Sequence, residues 1–211
     1  MESTMDAAKK DSLPPPQLGQ RVLIIGSTNA GKSTLGTRLA EDLNLPHVDL
    51  DALNWQKDWV GLHQSDPERF REKIRAATAG DSWVVTGNYT NFSQELIWPR
   101  VETIIWLDLP LGLLSRRLLR RSRQRWRTRE LLWGCNTERF WPQLAIWKEE
   151  SLLRWLWKTY GTNREKTLAA MGDDQWSHIR FIHLQSPAEV KAFSFGRWTE
   201  AQVVALSPST K

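Results

Sequence analysis

Short apolar runs rich in β-branched and aromatic residues recur five times along the chain, and helical patterns fill the intervals. Arg21–Ile25, His47–Asp49, Trp83–Thr86, Thr103–Leu107 and His178–Leu184 read as strands. Leu35, Leu39 and Leu43 recur at four-residue spacing and predict a first helix that stops at Asn44 and Pro46. Ser65-Asp66-Pro67-Glu68 predicts a second start: Ser65 and Glu68 fit a capping box, and Asp66-Pro67 fits a cap with proline at the first helical position. Phe70, Ile74 and Ala77 mark its inner face and Gly80 its stop. A long Arg-rich helix is expected from Leu111 to Trp126, and helix again over 128–172 with breaks at Pro142 and Gly161. Ser186-Pro187-Ala188-Glu189 combines a cap, a first-position proline and a capping-box glutamate. Strands without polar alternation are covered on both faces. The expected fold is therefore α/β, three layers around a five-stranded parallel sheet with right-handed crossovers.

Composition narrows the class. The chain has 211 residues, 40% hydrophobic and 25% charged, a mix that builds a core and excludes wholesale disorder. Residues 1–19, with Pro14-Pro15-Pro16, read as a flexible leader, 20–199 as one domain and 200–211 as a tail. The polar start has no hydrophobic segment of a secretory signal, and no apolar run approaches the roughly 18 residues of a membrane span. A single cysteine, Cys135, leaves no intramolecular disulfide and fits a reducing compartment, so a cytoplasmic location is expected. The net charge of +5 is partly local, since 115–130 holds eight arginines. A basic stripe of that kind predicts an anionic partner.

Chemistry enters after the first strand. Gly26-Ser27-Thr28-Asn29-Ala30-Gly31-Lys32-Ser33, followed by Thr34, fits G-x-x-x-x-G-K-[ST] with the strand and helix the motif needs on either side. The glycines let successive N–H groups converge on one anion, and the helix N-terminus adds positive potential. Lys32 brings a compact cation to the β and γ phosphates, and Ser33 a hydroxyl for Mg²⁺. Asp49-Leu50-Asp51 ends the second strand, and ligands of parallel sheets sit beyond the carboxyl ends of the strands. One carboxylate, Asp49, suits a Mg²⁺-bound water, and Asp51 suits the proton of an acceptor hydroxyl. Both also read as a helix cap and a solvated turn.

At Asp51 the chain resembles the small P-loop kinases of the adenylate kinase and shikimate/gluconate kinase group. Its linked blocks are closer still to the adenylate-kinase-like "DNA topology modulation" proteins. The blocks are Leu45-Pro46 followed by Asp51-Ala52-Leu53-Asn54-Trp55, then Trp83-Val84-Val85-Thr86-Gly87-Asn88-Tyr89, Ile105-Trp106-Leu107-Asp108-Leu109-Pro110 and Arg129–Glu138. The resemblance covers about residues 21–195. It implies a sheet of the nucleoside monophosphate kinase type, a helical Arg-rich lid over about 112–172, and ATP with Mg²⁺ as cofactors. Thr86 stands where the pattern has an aspartate, and Cys135 where it has a Gly-Asn junction.

Gly87, Asn88 and Tyr89 follow the third strand and so face the cleft; the resemblance makes them acceptor-binding, and an ordinary strand-to-helix turn is the alternative. Trp55 and Trp59 fit either an acceptor wall or core packing. At 100° per residue Arg117, Arg120, Arg121 and Arg125 share a side, and a lid arginine that reaches the transferred phosphoryl group is expected at Arg120 or Arg121. Asp108 has the place of a second metal-organising acid or of a turn former before Pro110. The Trp-rich segment from Trp133 to Trp157 fits a helical cap on the sheet, a membrane-surface helix or a base-stacking surface. The expected function is an ATP-binding P-loop phosphotransferase that moves the γ-phosphate to a small acceptor, a nucleotide or a hydroxylated metabolite. The alternative is a nucleic-acid-associated P-loop NTPase that binds DNA or RNA through its Arg-rich helix.

Overall fold

A computed structural model describes residues 18–137 and 151–194, and the backbone of 203–204. Strand β1 (Arg21–Gly26) leads through the Gly-rich turn into α1 (Lys32–Leu43), which Asn44 closes in the left-handed region. β2 (His47–Asp49) and the single-turn α2 (Leu50–Asn54) follow, then α3 (Leu62–Ser65) and α4 (Pro67–Ala77). Asp66, not Ser65, caps α4 by accepting from Arg69 N at 3.1 Å, with Pro67 at the first position; the Ser65 hydroxyl bonds back to the Gly61 carbonyl. β3 (Trp83–Thr86), α5 (Thr90–Leu96), β4 (Thr103–Leu107) and α6 (Leu111–Thr128) complete the first part.

The sheet order is β2-β3-β1-β4-β7, all parallel, where β7 is Arg180–Leu184. This is the expected five-stranded α/β core. A two-residue strand, β8 (Val203–Val204), adds antiparallel to β7. Central strands β3 and β4 are buried at every residue, as strands covered on both faces must be. On one face, Leu35 and Leu39 of α1, Leu114 and Leu118 of α6, and Phe193 of α8 (Pro187–Ser194) pack on Val22, Ile24, Ile105 and Ile182. On the other, Phe70, Ile74, Ile97, Trp98 and Trp176 pack on Leu23, Val85, Ile104 and Phe181. The cap of α8 follows the sequence: Ser186 Oγ donates to Glu189 at 2.8 Å, and Glu189 accepts from Gln185 N at 2.8 Å.

Two expectations over 128–172 need correction. Residues 129–137, which follow α6, are not helical. Arg129 and Trp133 take left-handed φ values of 50° and 47°, and Leu131–Leu132 (β5) pairs antiparallel with Asn136–Thr137 (β6) across a Gly134 turn. Nor does Gly161 break a helix: α7 runs unbroken over Leu152–Met171, because Gly161 is exposed and nothing crowds it. Of the Trp-rich segment, Pro142, Trp141 and Trp147 lie outside the described residues. α7 begins with Leu153 and Leu156 in one core and ends with Ala170 and Met171 in the other. It therefore passes over the carboxyl end of β4, where Tyr160 donates to the Leu109 carbonyl at 3.2 Å and Arg164 to Asp108 at 3.0 Å.

The face that α6 buries is set by Leu114, Leu118 and Ser122. With that face inward, Arg117, Arg121 and Arg125 are half-buried on one flank. Arg120 falls outside this group and is exposed.

Candidate active site

The turn between β1 and α1 has the backbone an anion cradle needs. Gly26 adopts φ 144°, and a Cβ there would lie 2.6 Å from the Leu107 carbonyl oxygen, so only glycine fits against β4. Asn29 is also left-handed, at φ 62°, and neither of its buried amide atoms has a hydrogen-bond partner in the protein. Ala30 N donates to the Ser27 carbonyl at 3.2 Å and closes the bend, with Thr28 half-buried at its tip. Gly31 starts α1 without a side-chain cap, which leaves the first helical N–H groups for a ligand. Lys32 Nζ donates to the carbonyls of Gly26 at 2.8 Å and Ser27 at 3.0 Å, so the ammonium is held against the loop. Burial lowers its pKa, as does the charge of Arg121, while Asp51 and Asp49 raise it. Thr34 is exposed.

From α6, Arg117 Nη1 donates to the Ala30 carbonyl at 3.1 Å, and the Arg121 charge bears on Lys32. Sequence reasoning placed Arg117 on the shared side but expected the lid role at Arg120 or Arg121; the helical phase of Leu114 and Leu118, the residues that face the core, is the signal that brings Arg117 to the loop.

Asp49 caps α2 and faces α1. Its Oδ1 accepts from Asp51 N at 2.9 Å, and its Oδ2 accepts from Ser33 Oγ at 3.2 Å. A hydroxyl and a carboxylate at that separation are the hard oxygen donors that suit Mg²⁺, which takes most of its remaining ligands from phosphates and water. No group of three or more His, Cys, Asp or Glu side chains gathers among the described residues. Burial pushes the Asp49 carboxyl above the ordinary range and the neighbouring Asp51 adds to it; the bonds from Asp51 N and Ser33 pull the other way.

Asp51 looks across from α2. Tyr89 donates its hydroxyl to Asp51 Oδ1 at 2.7 Å, which ties the strip after β3 to the strip after β2. Burial and then the Asp51 charge push the Tyr89 phenol far upward, so it stays a neutral donor. Gly87 takes φ 151°, and a Cβ there would lie 2.7 Å from that of Leu50. Asn88 is half-buried beside it. Thr86 is buried and bonds His47 Nε2 at 3.2 Å.

The wall beyond Asp51 is aromatic. Trp55 packs edge-on to Trp59 at 5.6 Å and near-parallel to Trp133 at 6.4 Å, while Trp59 meets Trp133 edge-on at 5.7 Å. His63 bridges Trp55 and Tyr89 and shares the buried Asn54 Oδ1 with its own backbone N–H, both at 2.9 Å. The β5–β6 hairpin is clasped onto this wall. Asn136 Oδ1 accepts from Trp59 N at 2.9 Å, its Nδ2 donates to the Gln56 carbonyl at 2.8 Å, and Trp59 Nε1 donates to the Thr137 carbonyl at 3.2 Å. Asn54, His63, Trp133 and Asn136 are thus site residues that sequence reasoning missed.

Asp108 stands apart. Its Oδ2 accepts from His183 Nε2 at 2.9 Å and Arg164 Nε at 3.0 Å, and His183 stacks on Trp106. Burial alone would raise this carboxyl, but the bonds from His183 and Arg164 outweigh it and hold it below the ordinary range. The acid is occupied by an ion-pair network at the end of the sheet.

No family model matches the chain. It is 29% identical over 110 residues to a shikimate kinase from Sulfurihydrogenibium sp. (strain YO3AOP1), across 47% of this chain and 66% of that protein. It is 25% identical over 119 residues to the uncharacterized protein YqaC of Bacillus subtilis (strain 168), across 56% of this chain and 66% of that one. Each match spans just under two thirds of the relative's length. In three dimensions, a gluconokinase from Sinorhizobium meliloti 1021 aligns over 85% of this chain and 91% of its own, with a TM-score of 0.50 and 17% identity, a likeness of fold. With its G-x-x-x-x-G-K-S cradle on such a sheet, the chain resembles the P-loop small-molecule kinases in sequence and shares their fold.

Proposed function

We propose that the protein transfers the γ-phosphoryl group of ATP to a hydroxyl of a small-molecule acceptor. The observation that carries this reading is the placement of Asp51, which takes the Tyr89 hydroxyl on the acceptor side and exerts its charge on Lys32 in the cradle. In the reaction the acceptor oxygen bonds to the γ-phosphorus and its proton passes to Asp51. The bond from that phosphorus to the β–γ bridging oxygen breaks, and ADP leaves with the electron pair. Residues 26–34 cradle the polyphosphate and Lys32 neutralises charge on the β and γ groups. Arg117 and Arg121 converge on the same charge from the lid. Ser33 and Asp49 would hold Mg²⁺, which neutralises phosphate charge when bound. Tyr89 and Asn88 orient the acceptor, and Trp55 stacks on its body. Catalysis is then mostly positioning and electrostatics. The likeness to a shikimate kinase supports a hydroxylated metabolite as acceptor. ADP release measured over a panel of sugar acids, polyols, nucleosides and nucleotides tests the reading. One acceptor class is expected to raise turnover well above the basal rate; uniform basal rates would remove it.

Asp49 provides a test with a worked sign. Its native pKa lies above the unfolded value, so the stability it contributes is complete below the unfolded value and is lost as pH rises through the native one. At pH 7.5 ionised Asp49 therefore costs stability. Asp49→Asn keeps an acceptor for Asp51 N and removes the charge. The ligand-free variant is expected to melt above the wild type at pH 7.5, with a gap that narrows toward pH 5, while its stabilisation by Mg²⁺ and an ATP analogue shrinks. Thermal melts at both pH values check this; a variant that melts at or below the wild type contradicts it.

A further inference from the structure

The arginines of α6 divide into two sets, and the proposed phosphotransfer uses only one. Arg117, Arg121 and Arg125 lie on the half-buried flank, where Arg117 bonds the loop, Arg121 bears on Lys32 and Arg125 pairs with Glu130 at 3.5 Å. Arg116, Arg120, Arg123 and Arg127 are exposed and repeat at i, i+4, i+7 and i+11, the spacing of a single file along one helix face. At 1.5 Å per residue the file is about 16 Å long. No acidic residue interrupts α6 anywhere between Leu111 and Thr128. Four like charges in a row without counter-charge on their own helix repel one another modestly, and an external anion that faces them relieves that repulsion.

Aromatic surface flanks the file. Trp126 is 48% exposed on its shoulder near the C-terminal end of the helix. Trp157 of α7, 52% exposed, donates Nε1 to Ser115 Oγ at 3.0 Å and so stands on the same shoulder near the other end. A bilayer rewards apolar side chains at the apex of a helix with basic residues beside them. Here the order is reversed, since arginines hold the apex and Leu119 and Trp126 only the shoulder. A linear polyanion with exposed ring faces fits this arrangement: phosphates along the file, unpaired bases on the indoles.

We propose that the outer face of α6 is a docking surface for single-stranded nucleic acid, separate from the phosphotransfer site. The test uses the full chain with fluorescently labelled dT20 and rU20, read by anisotropy between 50 and 200 mM salt. Each neutralised phosphate of a single strand contributes about −0.7 to the log–log salt slope, so four give about −2.8 and a loss of about fifty-fold over that range. Replacing Arg116, Arg123 and Arg127 together by alanine leaves one charge, and the loss is expected to fall to about threefold. Trp126→Ala is expected to weaken binding about tenfold with the slope unchanged, because stacking carries no charge. Lys32→Met is expected to bind the oligonucleotides as the wild type does, which separates this surface from the phosphotransfer reading. Absence of binding at 50 mM salt, or a triple variant with the wild-type slope, overturns the proposal. So does binding only to vesicles of anionic phospholipid. Circular dichroism of the exposed-site variants confirms that they fold.

Discussion

Lys32→Met is expected to lower kcat/KM by about 10²–10³-fold or more, the usual cost of removing one preorganised group from a developing charge. Methionine keeps the length of the side chain and removes the ammonium, so the change reads charge rather than packing. The ligand-free fold loses two hydrogen bonds, to the Gly26 and Ser27 carbonyls, but should stay close to the wild type in stability. The ammonium is buried, its charged form is disfavoured there, and Arg121 opposes it. The wild type should melt higher with an ATP analogue and Mg²⁺, by an amount set by mass action: about 2.7 kcal/mol at a hundred times Kd. The variant should lose most of that rise. Turnover by Lys32→Met within threefold of wild type, with the thermal rise intact, would mean that the loop binds no polyphosphate in the proposed way.

Asp51→Asn is expected to cost about 10²–10⁴-fold in kcat with a smaller change in KM, the range for loss of a positioned proton acceptor. Asparagine still accepts the Tyr89 hydroxyl through its Oδ1, so the link between the two strips survives. A second readout separates proton transfer from mere orientation. The Asp51 charge raises the Lys32 pKa, so its removal lowers that pKa further. Residual activity that needs the ammonium should therefore fall away at lower pH in the variant than in the wild type. A pH–rate profile from 6 to 10 checks this. A variant with near-normal kcat and an unmoved alkaline limb would reduce Asp51 to a helix-terminal residue.

The parts of this molecule that could be read from its sequence are those with local causes. The cradle is contiguous, and strand, glycines, lysine and helix follow one another within fourteen residues, from Arg21 to Thr34. The parallel strands at the centre of the sheet were legible because burial on both faces writes apolar character into nearly every position; the edge strand His47–Asp49, with one buried residue, was read from its neighbours. The β5–β6 hairpin was not. Its two-residue strands carry no period, and what stabilises them is Trp59 and Gln56, residues about eighty positions away that bond Asn136. Arg120 was grouped with Arg117, Arg121 and Arg125 for a related reason: periodicity sorts a helix into faces, but only the packing of Leu114, Leu118 and Ser122 says which face turns inward, and it leaves Arg120 exposed. Asn54 gave no sign of its role, because its value lies in having one buried oxygen that serves both the ring and the backbone of His63. Thr86, by contrast, was visible at once as a departure, and its bond to His47 shows a neutral structural pair in a place the resemblance fills with an acid.

The Asn136 clasp sets how often the β5–β6 hairpin stands open. Both halves of its amide are engaged, and the indole of Trp59 adds a third bond across the same seam. At about 1 kcal/mol each, and coupled through one rigid pair of side chains, these bonds release together rather than in sequence. At about 3 kcal/mol in all, the β5–β6 hairpin detaches as one unit and stands open in fewer than one molecule in a hundred.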